Sequence, residues 1–307
     1  MMDVSVIMAT WNRPQLLRAT LESVMGQTHK STELVIADDG SDAPARAVLE
    51  EYAAMPGVRV LWRSHCGNPA EVRNAAIRET SGRYIAFMDS DDIWHAEKLA
   101  RQLASLRERP ECRWSYTAST CIDAQDRPIT FHDNSQPRAT PLLESLATFA
   151  TGVALPTVLV ERTLLFQAGL FDESLGCYDD YDLYVRLAAH SDAVAVPEPL
   201  VKVRQHGAHF SRGNSYAALC AREKFLGRAI GMVRKPQVRA QLQRMRAINL
   251  AQLAYLSAIS GDSRAARSRL RGSLANGWSA PRWWLNAARA QSQLWSQRLH
   301  RALGRRP

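Results

Sequence analysis

Within the first hundred residues of this 307-residue chain, the apolar pattern switches repeatedly between two periods, and this alternation restricts the fold more than any other feature. The runs "VSVIMA" (4–9), "ELVIA" (33–37), "VRVLW" (58–62) and "RYIAFM" (83–88) are short and rich in Val and Ile. Such runs suit strands buried on both faces. Helical spacing fills the intervals, over about 14–27, 43–54 and 69–80. Pro14 suits a first helical position, with Asn12 or Arg13 before it. Asp42 is placed to cap the second helix, and Gly82 stands where the third should stop. The alternation predicts an α/β fold: a mostly parallel central sheet flanked by helices.

In such sheets ligands bind beyond the carboxyl ends of the strands. Those ends read Thr10-Trp11-Asn12, Asp38-Asp39-Gly40-Ser41 and Asp89-Ser90-Asp91-Asp92. The last is a metal site, a solvated turn, or a cap in which Asp91 or Asp92 starts a helix expected over about 95–107. No GxGxxG follows the first strand and no GxxxxGK[ST] occurs, which disfavours a dinucleotide oxidoreductase and a P-loop NTPase. A phosphate ligand would then need another counter-charge. Mg²⁺ or Mn²⁺ on carboxylates is the natural choice, because both prefer oxygen ligands. Strand alternation turns Asp89 and Asp91 to the same side.

Further along, a strand and turn are expected over 113–131, a loop over 132–141 and a helix near 141–150. A short strand near 157–160, a helix near 161–168 ended by Gly169, a helix near 180–190 and strands near 193–204 follow. From about 215 the pattern is helical, and "SGDS" (260–263) divides two helices of one αα-hairpin. Charge changes at the same place. Residues 1–220 carry 21 Lys/Arg against 28 Asp/Glu, net −7, whereas 221–307 carry 18 against 2, net +16. We therefore expect two parts, 1–215 and a basic all-helical 216–307. The five cysteines (Cys66, Cys112, Cys121, Cys177, Cys220) are scattered, which suits reduced thiols and argues against a disulfide frame or zinc ribbon. "MMDVSVIMATWNR" lacks the pattern of a secretory signal, and no run nears the roughly 20 apolar residues of a membrane span. A cytoplasmic protein is expected.

Six segments carry a more specific signal: "VSVIMATWNR", "ELVIADDGSD", "VRNAAIRETSGRYIAFMDSDDIW", "GLFDESL", "YDDYDLYVRLA" and "VKVRQHGAHFS". Through them the chain resembles, over about 4–211, the family 2 glycosyltransferases, inverting enzymes of GT-A fold. The resemblance implies a nucleotide-diphosphate sugar donor, commonly a UDP-sugar, and Mn²⁺ or Mg²⁺. It puts Thr10 and Trp11 at the base, with Trp11 stacking on it. Asp39 accepts from a base N–H, with Asp38 beside it, and Arg73 faces the nucleotide. Asp89 and Asp91 match the DxD motif, Asp89 toward the donor sugar and Asp91 toward the metal, with Asp92 a further ligand. The choice among these three carboxylates stays open.

By the same resemblance Asp180 is the general base, taking a proton from the acceptor hydroxyl, and Asp179 binds the acceptor. The family usually has Glu-Asp where this chain has Asp179-Asp180, a departure that bears on the acceptor contact more than on the base. His206 matches a metal or diphosphate ligand and Arg204 a phosphate contact, while His209 reads as a loop residue. Plainer roles compete: a tight turn with Gly40 for Asp38 and Asp39, an exposed helix position for Arg73, a surface role for Arg204, and capping of a helix from about 181 for Asp179 and Asp180, with Asp182 as surface charge.

In "RWWLNAARAQSQLWSQRLHRALGRRP", Trp284, Ala288, Gln291, Trp295 and Leu299 share a helical face, and most arginines lie elsewhere. Residues 282–306 therefore suit an anionic membrane surface, or a helical cap packed on the body. Nucleic acid is not expected, since no motif for it accompanies the charge. The expected enzyme is cytoplasmic and peripheral at the inner membrane face, acting on a polysaccharide or a glycolipid, lipid-linked precursor. Two other classes remain: a sugar-phosphate nucleotidyltransferase, which usually has a Gly-rich basic loop where this chain has "TWNRPQ", and a non-catalytic protein acting through its basic tail.

Overall fold

A computed structural model of the chain describes residues 2–133, 140–205, 216–276 and 288–293. The chain divides into two units, Met1–Glu173 with Asp179–His209, and Ser174–Tyr178 with Phe210–Pro307. The first is built on strands β1 (Val4–Thr10), β2 (Thr32–Asp38), β3 (Val58–Trp62) and β4 (Tyr84–Asp89), joined by helices α1 (Pro14–Met25), α2 (Ala43–Ala53) and α3 (Pro69–Arg78). These strands lie parallel in the order β3-β2-β1-β4. Val4, Val6 and Met8 share one core with Leu34, Ile36, Ala86 and Met88, packed against Leu17 and Leu21 of α1 and Leu49 of α2. Ile7, Val35, Ile85 and Phe87 point the other way and are equally buried, and α3 packs on β1 and β2. Burial on both faces explains why these strands read as continuous apolar runs.

Beyond β4 the sheet becomes mixed. After the two-residue strand β5 (Ile93–Trp94) come α4 (Lys98–Glu108), β6 (Trp114–Ile122), β7 (Pro128–His132), α5 (Leu142–Ala147), β8 (Leu159–Glu161), α6 (Arg162–Ala168), α7 (Asp179–His190) and β9 (Ala193–Arg204). The order continues β4-β8-β6-β9-β5, with β7 on β6. Strand β8 runs antiparallel to both β4 and β6, so β6 and its parallel partner β9 end at the same edge as β4. The β6–β9 register shifts around Ala118, opposite the segment carrying Pro197 and Pro199, where proline cannot donate to the ladder.

Several local expectations change. Residues 93–94 form a strand against β9, and α4 begins at Lys98 behind Glu97, so neither Asp91 nor Asp92 caps it. Asp42 occupies the cap position of α2 without a side-chain cap bond, because its carboxylate accepts from Asn12 Nδ2 at 2.8 Å. Gly169 does end α6 in the left-handed region, φ +89°. Gly82 does not end α3, which stops at Arg78. It lies against β1, where an added Cβ would sit 2.6 Å from Ser5 N and 2.7 Å from Ser5 Oγ. Gly82→Ala is therefore expected to cost about 1–3 kcal/mol through overpacking, read as a lowered Tm; an unchanged Tm would show that β1 and this turn separate freely.

The second unit contains α8 (Tyr216–Met232), α9 (Pro236–Ile259) and α10 (Ser263–Asn276). Helices α9 and α10 form the expected αα-hairpin around Gly261, φ +86°, through small residues: Ala247, Ala251, Ala258 and Ala266 are all buried. Asn249 Nδ2 ties α9 to the Leu219 carbonyl of α8 at 2.9 Å. Among the described residues, no helix is long and apolar enough to cross a membrane. Of the segment 282–306, only residues 288–293 lie within the described residues.

Candidate active site

Thr10, Asp38 and Asp89 end three adjacent strands, with Thr10 paired to Asp38 and Ala9 to Asp89. Two inter-strand spacings put the backbones of β2 and β4 about 10 Å apart, on either side of β1. The sequence-predicted residues fall into three groups along this edge.

The first group is Thr10, Trp11, Asp38 and Asp39. Asp38 is buried and accepts from the Ser41 amide at 3.1 Å, the contact that shapes the turn. Asp39 accepts from the amides of Cys66 at 2.8 Å and Gly67 at 3.0 Å. Its Oδ2 also lies 2.9 Å from His65 Nδ1. Burial pushes the Asp39 carboxyl up, but those amides and His65 outweigh it and hold it below its usual value. Trp11 stacks on His65, centroids 4.5 Å apart and planes at 19°. Thr10 Oγ1 is buried without a hydrogen-bond partner among the described residues.

The second group centres on Arg73, which projects from α3 between two motifs far apart in sequence. Its Nη2 donates to Asp89 Oδ1 at 3.0 Å, and its Nη1 reaches Asp179 Oδ2 at 3.3 Å. Its guanidinium lies 5.6 Å from the centre of the Phe171 ring. Arg73 is thus not an exposed helix residue; 15% of its side chain is accessible. Helix α7 begins at Asp179 itself, which fixes Asp180 beside this cluster. Burial first, then the like charge of Asp179, raises the Asp180 carboxyl to about 7, against relief from the Tyr181 amide and Arg73. Asp179 is raised too, by burial opposed by Arg73. Asp182 is not surface charge: it is buried and paired with Arg186 at 2.8 Å.

The third group is Asp91, Asp92 and Arg204. Asp91 Oδ2 pairs with Arg13 Nη1 at 2.6 Å, although the local pattern around Arg13 marks only a helix start. Asp92 is buried, and its Oδ1 accepts from the Arg204 amide at 2.8 Å. Burial first, then Asp89 and Asp91, hold its carboxyl well above the usual range. Arg204 is also buried, not at the surface; its guanidinium donates to the carbonyls of Asp91 at 3.0 Å and Asp123 at 3.2 Å and pairs with Asp126. What it visibly does is tie the end of β9 to the acidic turn. His206 and His209 lie outside the described residues.

Asp89 and Asp91 suit a hard cation by donor chemistry. Among the described residues no three His, Cys, Asp or Glu side chains cluster as a complete metal cage. One or two carboxylates completed by phosphate oxygens and water is how Mg²⁺ is usually held.

Sheet order and acidic strand ends together define an α/β domain of GT-A fold. The overall fold is similar to that of residues 1–349 of S. aureus TarS solved with UDP-GlcNAc, with TM-score 0.70 and 15% identity over 99% of this chain and 93% of that one. Residues 5–151, just under half of the chain, match glycosyl transferase family 2. It is 34% identical over 127 residues to Bacillus subtilis TuaG, a putative teichuronic acid biosynthesis glycosyltransferase, covering 41% of this chain and 50% of TuaG. It is 37% identical over 103 residues to Escherichia coli WfgD, a UDP-Glc:α-D-GlcNAc-diphosphoundecaprenol β-1,3-glucosyltransferase, covering 34% of this chain and 40% of WfgD. The chain spans between about a third and two thirds of the length of the curated relatives it matches.

Proposed function

We propose that the chain is an inverting glycosyltransferase. It moves a sugar from a nucleotide-diphosphate sugar, with UDP-sugars the first donors to test, to a hydroxyl of a polysaccharide or lipid-linked glycan precursor. The observation that carries this reading is the Arg73 cluster, which joins Asp89 of the acidic strand end to Asp179 at the start of α7. One guanidinium thereby sets a donor-side carboxylate beside an acceptor-side pair. WfgD, by its name, uses a UDP-sugar and a lipid-linked acceptor, which supports the same substrate classes here.

In this mechanism Asp180 takes the proton of the acceptor hydroxyl as its oxygen bonds to the anomeric carbon. The bond from that carbon to the diphosphate breaks on the opposite face, the nucleoside diphosphate leaves with the electron pair, and configuration inverts. Asp179 orients the acceptor, and Asp89 meets the donor sugar. Asp91, with Asp92 and His206 as the other candidate ligands, would hold Mn²⁺ or Mg²⁺. When bound, the cation supplies positive charge for the departing diphosphate. Residues 1–215 form the transferase domain in this reading. The basic region 216–307 brings it to the cytoplasmic face of an anionic membrane, with 282–306 as the contact.

The test is transfer or donor hydrolysis with Mn²⁺ or Mg²⁺. Nucleoside diphosphate release should need the cation and stop with EDTA. Asp91→Ala should lower turnover by about 10²-fold or more while keeping its circular dichroism spectrum. Pyrophosphate release in place of nucleoside diphosphate, or wild-type turnover by Asp91→Ala, overturns the mechanism.

A further inference from the structure

The resemblance assigns base stacking to Trp11 alone, but the structure places a second ring there. His65, in the loop after β3, lies against Trp11 with centroids 4.5 Å apart and planes at 19°. Both residues are about half exposed: Trp11 is 49% and the His65 side chain 47% accessible. His65 is not loosely placed. Its Nδ1 lies 2.9 Å from Asp39 Oδ2 and 3.0 Å from the Asp39 carbonyl oxygen. Both are acceptors, so Nδ1 carries the hydrogen and the ring plane is set. The next two amides, of Cys66 and Gly67, close on the same carboxylate. The loop can approach because residue 40 is glycine: with φ +74°, an added Cβ there would stand 2.7 Å from His65 N.

We infer that His65 is a nucleotide-binding residue, forming with Trp11 one stacking platform for the heteroaromatic base of the donor. This rests on the nucleotide-sugar reading above. Three observations support it. Two rings held parallel at the end of β1, half open, offer a base a rigid surface whose conformational entropy is already spent. Asp39 is not free to act alone, since His65 and two amides engage its carboxylate; it orients His65 as well as any base N–H. Finally, Thr10 Oγ1, next to Trp11, is buried and has no hydrogen-bond partner among the described residues, a polar group at the same strand end. Base–aromatic stacking contributes enough for such a platform to matter to affinity.

The experiment measures UDP and GDP binding to the full chain by calorimetry, with and without Mn²⁺, for wild type and for His65→Ala, His65→Phe and His65→Asn. His65 is exposed, so these variants should fold, which Tm verifies. His65→Ala and His65→Asn should weaken the preferred nucleotide about tenfold. His65→Phe, which keeps the ring and loses the Nδ1 hydrogen bond, should stay within about threefold. In transfer assays the loss should fall on KM more than on kcat. In a double-mutant cycle, Trp11→Ala with His65→Ala should bind little worse than Trp11→Ala alone, since one platform is lost only once. The proposal is overturned if His65→Ala binds like wild type, if His65→Phe is as weak as His65→Ala, or if the two losses simply add. If wild type binds neither nucleotide, the donor reading itself fails and takes this one with it.

Discussion

Asp180→Asn is expected to lower kcat by about 10²–10⁴-fold, the usual contribution of a positioned general base, while the donor still binds. The pH profile gives the sharper test. A base works ionised, and the folded protein holds Asp180 near 7. For wild type, kcat/KM should therefore rise with pH up to about 7 and level off above it. After burial, the like charge of Asp179 raises Asp180 most. Asp179→Asn should thus move the limb to lower pH, even where acceptor binding weakens. The folded value of Asp180 lies above that of the unfolded chain. Its stabilising contribution is therefore present at about pH 4 and lost as pH rises through 7. Asp180→Asn should accordingly melt above wild type at pH 8 and with it near pH 4. A flat wild-type profile between about pH 5 and 8, or a fully active Asp180→Asn protein, would remove Asp180 from the mechanism.

Arg73→Leu should have the largest structural effect of the substitutions considered. It takes the cation from between Asp89 and Asp179 and leaves carboxylates facing one another in a partly dry site. Removing one partner of a buried pair typically costs about 3–5 kcal/mol, to be read by urea denaturation near pH 7.5. The cost should shrink near pH 5, because Asp179 and Asp180 are raised already and would go higher without Arg73. Any residual transfer should show its acid limb at higher pH, opposite to the shift from Asp179→Asn. Arg73→Lys should recover part of the stability, since it restores charge but not the two-pronged reach. A protein with Arg73→Leu as stable as wild type at pH 7.5 would show that solvent, not Arg73, compensates these acids.

The strands of the first four segments could be read because both their faces are buried, and burial writes itself as unbroken Val/Ile runs. The acidic strand ends could be read because ligands gather at that edge of a parallel sheet. Strand β5 is not legible: two residues carry no period, and Ile93-Trp94 pair with β9 about a hundred positions later. At Gly82 a stop signal and a close approach use the same residue, and the approach to Ser5 is a long-range fact. Arg204, read as a phosphate contact, carries no local sign that the carbonyls of Asp91 and Asp123 will receive it. Asp182 likewise looked like one more acid on a helix until Arg186 and burial accounted for it.

By itself the sequence determined the periodic order of strands and helices, the clustering of carboxylates where strands end, and the change of charge near residue 220. These follow from local patterns of polarity, which a chain must carry to fold at all. Only the tertiary structure decided the partners: Arg73 between Asp89 and Asp179, Arg13 on Asp91, and His65 against Trp11 and Asp39. Side-chain charge and hydrogen bonding act over a few ångströms of space. Which residues share those few ångströms is settled by strand order and helix packing, not by distance along the chain.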